Sequence, residues 1–133
     1  MPTSFSVDHD HRAVFTTANG ILSLSHVRCH IQEKVEADVL SYSELFDARD
    51  VSLDLSISEL STIAKEVREV MGSVRPGKVA VVTNNNFIYG LARTYQALTA
   101  TDNPRFEVFR DFDVARSWLL QEQEQEQGEV AGQ

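Results

Sequence analysis

The chain has 133 residues, 42% of them apolar and 24% charged, which suits one hydrophobic core and leaves no room for a second. Its net charge is −8 with no basic cluster, which excludes the counterion-displacing face of a nucleic-acid binder and argues against binding to anionic membrane surfaces. No apolar run approaches the roughly 18 residues of a membrane span.

The N-terminal stretch MPTSFSVDHDHR lacks the basic start and apolar core of a secretory signal. A single cysteine, Cys29, excludes an internal disulfide framework and suits a reducing compartment, so a cytoplasmic location is expected. Residues 3 to 8 alternate polar and apolar, and residues 12 to 18 are β-prone, so the HDH between them reads as the turn of a β-hairpin that Gly20 terminates. Ser23 then caps a helix with Leu24, Val27, Ile31 and Val35 on its apolar stripe.

A loop over residues 36 to 41 leads into the strand ELFDA, whose end carries Asp47, Arg49 and Asp50. The next helix has full start signals: Ser56 with Glu59 forms a capping box, and Leu55 with Leu60 a hydrophobic staple. Its stripe is Leu60, Ile63, Ala64, Val67, Val70 and Met71, and Gly72 is the stop. After the turn VRPG, KVAVVT reads as a strand buried on both faces. Asn84, Asn85 and Asn86 open a third helix with Phe87, Leu91, Tyr95 and Leu98 inward and Gly90 placed for close approach to the sheet. FEVFR is the last strand, and Asp111 caps a final helix carrying Phe112, Ala115, Trp118 and Leu119. The expected order is β-β-α-β-α-β-α-β-α: a single α/β domain over 1–120 with a mixed, mostly parallel sheet of about five strands, the first antiparallel. The Gln/Glu-rich stretch 121–133 has no apolar periodicity, so it reads as a tail whose start prolongs the last helix and whose end is disordered.

Several segments carry a family resemblance. ANGILSLSHVRCHI resembles the helix entry of the SpoIIAA-like proteins, a branch of the STAS superfamily, and ELFDARDV, GKVAVVTNN, YGLARTYQAL and FEVFRDFDVARSWL follow in that family's order over about residues 5 to 120. The resemblance implies a small STAS-type domain with helices packed on a mixed sheet, and an interaction or regulatory module with no catalytic activity and no cofactor. Phosphorylatable STAS antagonists carry Asp-Ser-Ser/Ala-Gly at the helix start after this strand. LDLSISEL has neither the Asp-Ser pair nor the glycine, which weighs against a kinase-driven switch.

Taken residue by residue, Ser56 has a sufficient role as a cap, which leaves Ser58, in the first helical turn, as the better phosphorylation candidate. Asp47 and Asp50 lack the second acidic group and the lysine of an aspartyl-phosphate receiver. His26 and His30 lie one helical turn apart near Glu33 but opposite the apolar stripe, so they are expected to face solvent without a metal. Cys29 sits near the same polar side, with no base that would make it a nucleophile. Ligands of open α/β sheets bind beyond the carboxyl ends of parallel strands, and that edge is expected to carry Asp47, Arg49, Thr83, Asn84 and Asn85 beside two helix N-termini. The leading expectation is therefore a non-catalytic interaction or regulatory module with an unnamed protein partner or as a homodimer. The alternative is a binding domain for a small anionic, nucleotide-like ligand or a lipid-like one, marked by a cavity lined by Phe87, Tyr89 and Trp118.

Overall fold

The computed structural model describes residues 2–120, and the expected element order is present. The elements are β1 (Thr3–Asp8), β2 (Ala13–Ser23), α1 (Leu24–Glu36), β3 (Ser43–Asp54), α2 (Ile57–Met71), β4 (Val79–Val82), α3 (Asn86–Leu98) and β5 (Phe106–Phe109), followed by α4 over 112–120. The strands lie side by side in sequence order, with β1 antiparallel to β2 and every other neighbour parallel. The tail expected over 121–133 lies outside the described residues.

Two strands run further than their sequence punctuation indicates. β2 continues through Gly20 to Ser23, and β3 continues through Asp47, Arg49 and Asp50 to Asp54. The register jumps from Thr17 opposite Asp47 to Asn19 opposite Asp50, which is a bulge on β3 at Ala48 and Arg49. Gly20 takes a positive φ of 76° in this irregular stretch instead of ending the strand. Beyond the bulge β3 has lost β4, whose four residues pair only with Glu44 to Asp47, so β2 and β3 project as a two-stranded ribbon. The alternation Val51, Leu53 in VSLDL was the strand signal: one apolar side chain every second residue, with charges on the other face.

The two faces of the sheet are covered differently. On one, Ala13, Leu45, Ala80 and Val82 pack against Ala115 and Leu119 of α4, with Phe15, Phe109, Phe112 and Trp118 around them. On the other lie α1, α2 and α3: Ala18, Leu22, Ala48 and Val51 meet Ile88, while Leu60, Ile63 and Leu91 form a cluster with Val27, Leu53 and Tyr95. The neighbours of α2 are chiefly α1 and α3, so it spans them as a roof.

The helix starts follow their caps. The Ser56 Oγ accepts from the Glu59 N–H at 3.1 Å and the Glu59 carboxylate accepts from the Ser56 N–H at 2.9 Å, the reciprocal capping box. Gly72 closes α2 at a positive φ of 54°, and the Asp111 carboxylate accepts from the Val114 N–H at the start of α4. The inward face of α3 is Ile88, Leu91 and Tyr95; Phe87, 63% exposed, and Leu98 point outward, because the i, i+3, i+7 stripe that meets the sheet starts at Ile88. Gly90 is exposed with open space beside it, so it approaches nothing. Gly77 is the close-approach glycine: a Cβ there would lie 2.5 Å from the Ser43 backbone nitrogen.

Candidate functional site

The residues expected to form one edge site have separate local duties. Asp47 and Arg49 face α4: the Arg49 guanidinium donates to both Asp47 oxygens at 2.9 and 2.8 Å and lies 4.8 Å above the Phe112 ring. The Arg49 hydrogen bonds hold the Asp47 carboxyl below its ordinary range. Thr83 is fully buried, with its hydroxyl accepting from the Asn85 N–H. Asn85 is the cap of α3, accepting from the Phe87 and Ile88 N–H groups, and Asn84 is exposed beside it. The start of α2 lies seven residues of extended chain beyond Arg49, on the order of 20 Å along the ribbon. The ribbon thus separates Arg49 from the N-terminus of α2, while that of α3 follows Val82, the partner of Asp47 across the sheet. Ser58 is exposed, 3.2 Å from the Ser56 hydroxyl.

His26 and His30 do not share a surface. The His26 Nδ1 accepts from the Ser23 N–H at 3.1 Å, taking the reciprocal role of a capping box. His30 is buried, contrary to the solvent-facing expectation, because α1 turns it onto the sheet between the edges of the Phe5 and Phe46 rings. Its Nε2 lies 2.7 Å from the Glu44 Oε2, and its Nδ1 is buried without a hydrogen-bond partner. The Cys29 Sγ donates to the Glu33 carboxylate, which, with burial, raises the thiol and disfavours the thiolate.

Glu44 is the centre of a buried polar network. One oxygen accepts from the Thr16 hydroxyl at 2.6 Å and from His30, the other from the Lys34 Nζ at 2.6 Å. Burial alone pushes this carboxyl up, but the Lys34 charge and the hydrogen bonds from His30 and Lys34 outweigh it and hold the group far below the usual carboxylate range. The sequence carried a signal that went unread: Glu44 shares a strand face with Phe46 and Ala48, and a charge on an apolar face requires a counter-charge, which Lys34 supplies from α1.

This network borders a cavity of about 360 Å³ between the sheet and the roof of α2. Phe46, Ala48, Val79 and Val81 form its floor; Val27 and Ile31 of α1, Leu60, Ile63 and Val67 of α2, and Leu91 and Tyr95 of α3 form its walls. Leu22 and Leu53 of the ribbon, with Leu55 just beyond it, also line it. Its polar groups gather where the parallel strands begin: Lys34, Tyr42 and Glu44 on one side, Arg68, Thr99 and Asp102 on the other. Two ion pairs pin α2 above it: Arg28 to Glu66 at 2.7 Å and Arg68 to Asp102 at 2.8 Å. None of Phe87, Tyr89 and Trp118 lines it: Trp118 lies on the α4 face, and Tyr89 is covered by the Arg110 guanidinium at 4.2 Å. The size falls within the range of small-molecule sites, and a mostly apolar lining with a few convergent polar groups is their usual makeup. Among the described residues, no group of three or more His, Cys, Asp or Glu side chains is placed to hold a metal ion.

No family model matches the chain, and no curated protein matches it at a significant level. Among solved structures it is similar to an uncharacterised protein of the DUF3478 family from Shewanella loihica PV-4, described as having a SpoIIAA-like fold, at 15% identity and a TM-score of 0.60, covering 88% of this chain and 93% of that one. Five strands with one antiparallel edge and four helices agree with it, and the chain has the SpoIIAA-like fold.

Proposed function

We propose that this domain is a non-catalytic binding module that holds a small, largely apolar, lipid-like molecule between its sheet and α2. The observation that carries this reading is the 360 Å³ cavity on a face that three helices cover without filling. A core of this size that only had to be stable would close on the space, because unfilled volume forfeits dispersion contacts. Support for a non-catalytic role comes from the polar groups, which are engaged with one another: Glu44 with Lys34, His30 and Thr16, and Arg68 with Asp102. The thiol of Cys29 is kept protonated by its neighbours. A cytoplasmic setting belongs to the same proposal and is supported by that single free cysteine.

Titration with the neutral fluorescent probe N-phenyl-1-naphthylamine tests it. Saturable binding of one molecule per chain, abolished by the cavity-filling Ala64→Trp, is expected. Unsaturable binding, or binding unchanged in a folded Ala64→Trp protein, contradicts it.

A second reading, the interaction or regulatory module with a protein partner or a second copy of the chain, has its own observation. Ile57, Phe87 and Val114 are exposed large apolar residues, each in the first turn of a helix that follows a parallel strand. The substitutions Ile57→Ser and Phe87→Ser are expected to remove any concentration-dependent self-association seen by sedimentation; unchanged association would rule this edge out.

A further inference from the structure

The charges around the cavity narrow the class of ligand. Four formally charged side chains line it: Lys34, Glu44, Arg68 and Asp102. They form two closed pairs, Lys34 with Glu44 at 2.6 Å and Arg68 with Asp102 at 2.8 Å. With His30, which also lines it and is bonded to Glu44, counted as neutral, the lining sums to zero, and each cation is matched by a carboxylate of this chain. An anionic head group brought to this end gains no net counter-charge, loses its hydration and meets two carboxylates. An uncharged hydroxyl loses far less water and needs only one or two hydrogen bonds.

Tyr95 offers such a bond. Its ring lines the cavity and tilts against Phe106 at 5.5 Å, and its hydroxyl has no hydrogen-bond partner among the described residues. Burial pushes this phenol up to about 12, with Glu44 and Asp102 adding to the effect, so it stays a neutral donor and acceptor at physiological pH.

We propose that the cavity selects an uncharged amphiphile, a long-chain alcohol or a neutral lipid with a hydroxyl end, over a carboxylate or phosphate of the same chain. This rests on the reading that the cavity binds a small molecule at all. The chain of the ligand lies along Val81, Leu60, Ile63 and Leu91, and its hydroxyl meets Tyr95 at the end where the strands begin.

Calorimetric titration of the full chain with 1-decanol and with decanoate, at pH about 8 where the carboxylate is fully ionised, tests the selection. The expected result is one 1-decanol per chain, bound at least about tenfold more tightly than decanoate. Glu44→Gln, which leaves the Lys34 charge uncompensated, is expected to erase that ratio. Should Glu44→Gln fail to fold, Asp102→Asn at the exposed Arg68 pair provides the same comparison. Equal binding of the two ligands, or tighter binding of decanoate, overturns the proposed selection while leaving the cavity reading intact. A ratio unmoved in the folded variants overturns the charge argument. Failure of both ligands to bind the wild-type chain overturns the cavity reading itself.

Discussion

The two faces of the sheet are built from similar strand residues and end in different states. The α4 face is closed: Ala13, Leu45, Ala80, Val82, Ala115 and Leu119 are all within 1% of complete burial. The opposite face carries three helices yet keeps a cavity of about 360 Å³ and a buried charged network at its border. The difference lies in what touches the strands. The small Ala115 and the Leu119 of α4 seat directly against the alanines and valines of the sheet, whereas α2 rests chiefly on α1 and α3 and leaves space beneath. One face supplies stability through close packing, and the other keeps the space that the proposed ligand would fill.

The largest test of that division compares two leucines. Leu119→Ala on the closed face is expected to cost about 2–5 kcal/mol, because its cavity forms among side chains with nowhere to relax. Leu91→Ala, on the open face, is expected to cost no more than about half as much, since one side of that leucine already borders empty space. Chemical denaturation of both variants measures this. Equal losses would mean that the helical face is as tightly packed as the other.

The polar border of the cavity gives the next effect. The folded-state carboxyl of Glu44 is held below its ordinary value of 4.5, so its contribution is fully present above that pH and is lost as the pH falls below it. Glu44→Gln is expected to cost on the order of 1.5–3 kcal/mol at neutral pH and to flatten the decline of stability in acid. Denaturation midpoints measured from neutral pH down through this window check it; parallel acid limbs for the two proteins would show that Glu44 is not the titrating group. A smaller effect sharpens the picture of the roof. Ser56→Ala removes the α2 cap and is expected to cost ~1 kcal/mol, read as a lower denaturation midpoint. An unchanged midpoint would detach the start of α2 from the stability of the open face.

Much of this architecture was legible in local pattern. Caps at Ser56 and Asp111, the stop at Gly72 and the apolar VAVV run carry their own chemistry, so element order and sheet class followed from them. The edge of the sheet was misread where charge and glycine look like punctuation: Asp47, Arg49 and Asp50 resemble a turn, but the bulge absorbs them inside a long strand. The exposure of His30 was misjudged because a helical stripe was drawn from apolar residues alone. A histidine bonded to a buried carboxylate behaves as an inward residue, and the partner, Glu44, lies in another element. The cavity itself could not be read from the chain. The residues that line it have ordinary core identities, and its volume depends on how far α2 stands from the strands, a distance no local pattern encodes.

The central claim is that the face under α2 takes up a molecule and the α4 face does not. Amide and methyl chemical-shift mapping of the full chain with 1-decanol tests it most directly. The account predicts saturable shifts at Ile63, Leu60, Val81, Leu91 and Tyr95, with Leu45, Ala115 and Leu119 unmoved. Shifts confined to Ile57, Phe87 and Val114 at the exposed edge, or shared equally by both faces, would contradict it.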